Sequence, residues 1–149
     1  MNWKKGRGKL GIFEPLQGAW EAVSETEMGM VKCRREFSKT LDGKYVRLSA
    51  LWQYSHGNYE ELALIGVNAE KEICFWSFTS DGKQSQGKLA DVSDIHPQAI
   101  GFEAEMPAGL ARMAYWPADG DGFHWVVESK SKKGWNRFVE QHYLPLRTP

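Results

Sequence analysis

The chain has no excess of charge of either sign. Its 149 residues contain 19 Lys and Arg against 19 Asp and Glu, so the formal net charge is zero when histidine is neutral. Proteins that attract nucleic acid or anionic membranes through their overall field carry a basic surplus. The balance excludes a globally basic binder, and we expect neither nucleic acid nor membrane among the partners.

Long apolar runs are also missing. The basic N-terminal stretch MNWKKGRGKLGIF is not followed by the roughly 7–15 apolar residues of a secretory signal. Nowhere does the sequence contain the run of about 18 apolar residues that a membrane-spanning helix needs. We expect a cytoplasmic protein in which residues 1–10 form a flexible basic tail and residues 11–149 form one domain.

Metal and catalytic motifs are scarce. Cys33 and Cys74 lie far apart, and the histidines at positions 56, 96, 124 and 142 follow no metal-ligand spacing. The sequence has no G-x-S-x-G elbow, phosphate-binding loop, dinucleotide fingerprint or H-E-x-x-H motif. These absences predict reduced, packed cysteines, no metal, no cofactor and a non-catalytic role.

Aromatic residues, by contrast, are abundant. Seven Trp, seven Phe and five Tyr make up 13% of the chain. Such a content is typical of a lined ligand cavity, and equally of a densely packed aromatic core. Four of these residues fall in the middle of strand-like segments and are candidates for a cavity wall: Trp52, Trp76, Tyr115 and Trp125.

Apolar and polar residues alternate with a period of two along most of the chain. In VKCRREFSKTL, for example, one phase is occupied by Val31, Cys33, Arg35 and Phe37. That period is typical of half-buried β-strands. Turn sequences such as Asp42-Gly43 separate the segments at spacings of roughly ten residues.

The pattern predicts an all-β fold of about 8–10 antiparallel strands in an up-and-down barrel. Closing the sheet into a barrel removes the exposed edges of so many strands. The preceding segment LGIFEPLQGAW, with Ile12, Phe13 and Leu16 around Pro15, predicts a short N-terminal helix that caps one end of the sheet.

The stretch EPLQGAWEA places Gly18 two residues before Trp20, directly after that short helix. This arrangement resembles the opening of calycin β-barrels, the group of lipocalins, fatty-acid-binding proteins and nitrobindins. The order of LDGKYVRL, LIGVNAEKEICFWSFTSDG, DGFHWVVESKSKKGW and RFVEQHY is similar to a bacterial family of lipocalin-like domains, over about residues 12 to 145. The T-D-Y triplet of lipocalins is missing, and its absence favours an intracellular binding role over a secreted one.

The resemblance implies a calycin-like barrel closed by three residues. Trp20 would pack across the closed end, beneath an arginine of the last strand, and Arg137 has that strand position. A guanidinium stacked on an indole gains cation–π attraction. Gly18 would allow the bend or the close backbone approach that is needed beside the ring.

Polar residues within the later strands complete the candidate site. We expect Arg112 to meet a carboxylate of the ligand, with Glu140 and His142 in the last strand as further ligand contacts. A buried arginine must be paired, stacked or bound to an anion. In the alternative, Arg112 and Arg137 point to solvent and cover apolar surface with their stems.

We predict that the barrel binds a small apolar or amphipathic molecule without catalysis, as a monomer or a homodimer. Three alternatives stay open. The first is an enzyme that uses Glu140 and His142 as acid and base. The second is haem binding through His142, and the third is a barrel filled by side chains that serves as an interaction module.

Overall fold

A short 3₁₀ helix, Lys9–Leu16, leads into ten antiparallel strands in this computed structural model, which describes residues 3–27 and 29–146. The strands are β1 Gly18–Thr26, β2 Gly29–Thr40, β3 Tyr45–Tyr54, β4 Gly57–Val67, β5 Ile73–Thr79, β6 Gln84–Ala90, β7 Ile100–Met106, β8 Gly109–Pro117, β9 Phe123–Ser131 and β10 Gly134–Pro145. Each strand pairs with its neighbours in sequence, and β1 pairs with β10 to close the barrel. The predicted all-β up-and-down barrel with one short helix is therefore confirmed.

The helix covers one end of the barrel, which we call the closed end. Its Phe13 and Leu16 side chains are fully buried, and the Phe13 ring stacks on Phe102 with centroids 5.9 Å apart. In the segment predicted as a tail, Trp3 packs against the core and the helix already begins at Lys9, whereas residues 1 and 2 lie outside the described residues. No helix among the described residues has the length and apolarity of a membrane span.

The opposite end, which we call the open end, carries five of the hairpin turns. These turns join β1 to β2, β3 to β4, β5 to β6, β7 to β8, and β9 to β10. Asp-Gly sequences fall between strands, Asp42-Gly43 between β2 and β3 and Asp81-Gly82 between β5 and β6. Gly82 has a φ of 83°, a conformation that residues with a Cβ rarely adopt.

Two of the strand pairings are short. β6 pairs with β7 through three residue pairs, from Lys88↔Glu103 to Ala90↔Gly101, and β1 pairs with β10 through Trp20↔Pro145 and Glu21↔Leu144. The other pairings include five to nine residue pairs. Both short ladders lie toward the closed end, so the sheets β1–β6 and β7–β10 are joined there and lack paired backbone between them toward the open end.

The main core fills the closed half of the barrel with large side chains. Buried aromatic residues there include Phe37, Phe75, Phe102, Phe123 and Tyr143. A second, smaller core lies outside the barrel, where the β6–β7 connection folds over β8 and β9. In it Val92 packs on Ala114 and Val126.

Candidate ligand-binding site

An arginine lies inside the barrel, on β2. Arg35 occupies the same phase of the strand as the buried residues Val31, Cys33 and Phe37, and it is 1% exposed. Its guanidinium carbon is 4.1 Å from the centre of the Trp125 ring, a distance at which cation–π attraction is strong. Since an arginine in a protein stays protonated, this position on β2 places a permanent positive charge inside the barrel.

The polar contacts of Arg35 are incomplete. Its Nε donates to the Tyr115 hydroxyl at 3.2 Å, and the Tyr143 hydroxyl also interacts with the guanidinium. Its Nη2 is 3.8 Å from Glu61 Oε1, which is beyond hydrogen-bond distance. Its Nη1 is buried and has no hydrogen-bond partner. The guanidinium therefore retains unused donor capacity.

Unused donors are concentrated around this arginine. Four buried side-chain nitrogens in the described part of the chain lack a hydrogen-bond partner: Arg35 Nη1, Trp52 Nε1, Trp125 Nε1 and Gln17 Nε2. The first three belong to one cluster, because the Trp52 and Trp125 rings are 6.2 Å apart and Trp125 lies against Arg35. An unsatisfied buried donor costs about 1–3 kcal/mol, so the cluster is suited to an acceptor from outside the chain.

The Trp125 indole requires one distinction. The Tyr115 hydroxyl lies close to this indole, which partly offsets the rise in pKa that burial causes for Tyr115, but Trp125 Nε1 has no partner at hydrogen-bond distance and angle. Hydrogen-bond energy falls steeply with misalignment. The Trp125 donor is thus near a polar group without being satisfied by it.

A second polar chain runs beside the cluster. The Tyr143 hydroxyl donates to Gln141 Oε1 at 2.7 Å, and Gln141 Nε2 donates to Cys33 Sγ at 3.1 Å. Burial raises the pKa of Tyr143 to about 12, although Arg35 favours the phenolate. Burial likewise raises the pKa of Tyr115 and of the Cys33 thiol. These three groups are therefore neutral around pH 7 and leave the Arg35 charge in place.

Glu61 gives Arg35 a partial counter-charge. Its Oε2 accepts a 2.5 Å hydrogen bond from the buried Ser77 hydroxyl, while its Oε1 faces Arg35 at 3.8 Å. The Glu61 side chain is partly accessible, so solvent screens its attraction. Glu61 thus reduces the interior charge without occupying the free Nη1 donor.

A depression at the open end shares one residue, Trp52, with the cluster. It has a volume of about 580 Å³ and is lined by Trp52, Tyr54, His56, Gly57, Asn58, Tyr59 and Asp81. Trp52 belongs both to this lining and to the interior, because it also packs against Trp125. The depression and the free donors are therefore linked through a single indole.

Of the four aromatic residues predicted to line a cavity, three face the interior. Trp52, Tyr115 and Trp125 all pack in the main core. Trp76 does not, since Phe75 and Ser77 on either side of it are the buried residues that face inward on β5. Its ring packs at the outer surface against Tyr45, and the predicted lining position of Trp76 is corrected accordingly.

Arg112 is also on the outer face, which corrects its predicted position in the cavity. Tyr115 faces inward on β8, and therefore Arg112, three residues earlier, faces outward. There it makes a two-pronged contact with Asp94, at 3.0 and 2.8 Å, and a 2.8 Å bond to Glu128. Its guanidinium lies 4.2 Å from the centre of the Trp135 ring. These contacts occupy all three of its nitrogens.

The remaining predicted residues of the last strand share that outer face. Tyr143 and Gln141 are the inward residues of β10, so Glu140 and His142 point outward and are exposed. His142 Nε2 lies 3.0 Å from the Asp121 carbonyl oxygen, and the His142 ring packs against His124. These positions do not support an acid–base pair or a haem ligand inside the barrel. No three potential ligand side chains meet as a metal site within the described residues.

Two of the three residues of the predicted closure lie at the closed end of the barrel, and the third does not. Trp20 packs edge-on against Phe123, with centroids 4.9 Å apart, and its Nε1 donates to the Leu16 carbonyl at 2.8 Å. Gly18 has a φ of 122° and open space where a Cβ would lie, so it supplies conformational freedom. Arg137 does not cover Trp20. It lies outside, bonded to Glu128 at 2.9 Å.

Sequence reasoning missed Arg35 as a site residue, although the signal was present. Arg35 is the single charged residue in the apolar phase Val31–Phe37 of β2. The same phase reasoning could have identified Glu61, which shares the inward phase of β4 with Ala63 and Ile65.

Neither the protein-family models nor the curated protein sequences give a significant match. Among solved structures, the chain is similar to a de novo designed fluorescence-activating β-barrel, with 21% identity and a TM-score of 0.43. The similar region covers 66% of this chain and 88% of the designed one.

Proposed function

We propose that this protein reversibly binds a small, largely apolar molecule that carries an acidic or carbonyl acceptor group. The observation that carries the proposal is the group of three buried donors without acceptors on Arg35, Trp52 and Trp125. The ligand enters at the open end and directs its acceptor group toward Arg35. No bond is made or broken. We also infer kinship with calycin barrels, based on the Gly18–Trp20 opening and the helix-capped meander.

A carboxylate suits the donors better than a neutral acceptor. Its two oxygens offer about four lone-pair sites, enough for donors that converge from several directions. Hydrogen bonds to charged groups contribute about 1.5–3 kcal/mol, and low local polarity strengthens them. The apolar part of the ligand would contribute through burial, at about 25 cal/mol per Å² of surface removed from water.

The test uses anilinonaphthalene sulfonate, a fluorescent amphipathic anion, as the probe. We expect its emission to rise on binding, and Arg35→Met to weaken binding by roughly 10- to 100-fold, as the loss of one charge-assisted contact implies. Tight binding that is unchanged in folded Arg35→Met would contradict the proposal. Failure of the probe to bind the unmodified protein would count against it as well.

Two control variants change the residues on which the enzyme and haem alternatives depend. Glu140→Gln and His142→Ala alter exposed side chains on the outer face, so both should leave probe affinity unchanged within about twofold. A loss of affinity in either variant would place the ligand on the outside of the barrel and overturn the interior site.

A further inference from the structure

The aromatic residues of the open end form two pairs in contact. Trp52 and Tyr59 lie directly opposite each other on β3 and β4, with ring centroids 5.3 Å apart and planes tilted by 32°. Tyr54 and His56 stack at 5.1 Å with an inclination of 30°. All four rings line the depression. A flat ring that enters the depression therefore meets aromatic side chains, with which it can stack.

Aromatic contacts continue from these rings into the barrel as far as the guanidinium of Arg35. Trp52 packs on Trp125 at 6.2 Å, and Arg35 lies over the Trp125 ring at 4.1 Å. From the rim to Arg35, the neighbouring side chains are therefore aromatic at each step. The first free donor on this path is Trp52 Nε1, and Trp125 Nε1 and Arg35 Nη1 lie behind it.

The charges of the rim and of the interior differ in how fully they are paired. Asp81 lines the depression, accepts hydrogen bonds from the Thr79 hydroxyl and the Lys83 backbone N–H, and lies 3.9 Å from the Lys83 ammonium. Arg35 keeps an unpartnered Nη1, so a carboxylate ligand gains more from Arg35 than from the rim. This difference orients an acid with its carboxylate inward and its apolar body among the rings.

We infer that the ligand class is a planar aromatic carboxylic acid, whose flat ring stacks on Trp52, Tyr54 and Tyr59 while its carboxylate takes the free donors around Arg35. The inference rests on the proposed function and makes it more specific. A flexible aliphatic acid could also place its carboxylate there, but it would not gain the stacking energy. Aromatic pairs contribute about 0.5–1.5 kcal/mol beyond the area they bury.

The experiment compares 2-naphthoate with decahydro-2-naphthoate by isothermal titration calorimetry. The two acids share their carbon skeleton and charge, and only the first is flat and aromatic. We expect 2-naphthoate to bind roughly 3- to 10-fold more tightly. Tyr59→Leu should remove most of that preference and leave the affinity for the saturated acid nearly unchanged. Trp76→Leu, which alters an aromatic ring that contacts Tyr45 on the outer surface, serves as the matched control and should preserve the preference.

The outcomes separate this inference from the proposed function. If both acids bind equally and Arg35→Met weakens both, the acceptor site stands and the aromatic preference is overturned. Tighter binding of the saturated acid would overturn it too. If neither acid binds, or if Arg35→Met affects neither, the interior acceptor site itself is overturned together with the aromatic preference.

Discussion

The barrel buries two arginines, Arg35 inside and Arg112 outside, and their surroundings differ. All three nitrogens of Arg112 lie within 3.0 Å of carboxylate oxygens, from Asp94 and Glu128. Arg35 is the more deeply buried of the two, and yet its Nη1 has no partner and its nearest carboxylate oxygen, on Glu61, is 3.8 Å from Nη2. Both guanidiniums stack on a tryptophan, at 4.1 and 4.2 Å.

The difference separates an arginine whose hydrogen bonds are completed within the chain from one that retains an unused donor. Burying a charge is costly unless its partners replace the hydrogen bonds of water. The outer network makes that replacement with the protein's own carboxylates and fixes the β6–β7 connection to the barrel. The inner cluster replaces only part of those hydrogen bonds. Stacking on a tryptophan is common to both arginines, so the unused donors are what support the proposed ligand site at Arg35.

The largest expected effect comes from breaking the outer network at its centre. Glu128 is 5% exposed and accepts from both Arg112 and Arg137. Glu128→Ala should lower the free energy of unfolding by about 3–5 kcal/mol, because Arg112 Nε and Arg137 Nε lose the buried carboxylate that they share. Urea denaturation measures this change. The exposed carboxylate Glu140 provides the control, since Glu140→Ala should cost less than about 1 kcal/mol. Similar values for the two variants would refute the assigned importance of the outer network.

Alkaline pH should lower the free energy of unfolding through Tyr143, a buried phenol of the inner cluster. Burial raises the pKa of Tyr143 to about 12, above the value near 10 of an unfolded tyrosine. The folded state therefore holds the proton more tightly. This contribution to stability is fully present below about pH 10, and it is lost as the pH rises through about 12, by about 2–3 kcal/mol in all.

The measurement is the free energy of unfolding as a function of pH, with Tyr143→Phe as the comparison. The variant cannot ionise at this position and should show a shallower decline above about pH 10. Parallel curves for the variant and the unmodified protein would show that Tyr143 does not titrate as a buried phenol.

The smallest change in stability is expected for Arg35→Met, and its comparison with Arg112→Met distinguishes the two arginines. Arg35→Met removes an incompletely partnered charge, so the loss of its stacking and hydrogen bond is offset by the removal of a desolvated donor. We expect the free energy of unfolding to change by less than about 1 kcal/mol. Arg112→Met, which removes one of the two partners of the buried Glu128 and the partner of Asp94, should cost about 3 kcal/mol. Equal losses in urea denaturation would remove the distinction.

The strands and turns were predictable because they depend on local rules. Period-two alternation placed Cys33 and Phe37 on one face, and Asp-Gly pairs marked turns such as Asp42-Gly43 between β2 and β3. Gly18 and Trp20 lie where β1 begins, at the closed end. Strand phase was therefore readable wherever apolar residues were confined to one phase.

The site was harder to predict, because it depends on which phase faces inward in strands of mixed composition. In β8 and β10 both phases contain apolar residues, since the β6–β7 connection buries Ala114 on the outside. That second core made Arg112 look internal. The bulge between Arg137 and Val139 further shifted the phase of β10. Neither feature leaves a local signature, whereas Arg35, in a strand with one clear apolar phase, could have been found.

The most direct test of the account is the behaviour of the tryptophan indole protons on ligand binding. The chain has seven tryptophans, whose indole N–H signals can be resolved by nitrogen-15 NMR and assigned by single substitutions. Saturating decahydro-2-naphthoate, which has no ring current, should move the Trp52 and Trp125 signals downfield as their free donors gain an acceptor. Trp116 and Trp135, on the outer face, should not move. Shifts confined to those outer residues, or binding that leaves the Trp125 indole signal unchanged, would contradict the claim that the unpaired interior donors bind the ligand.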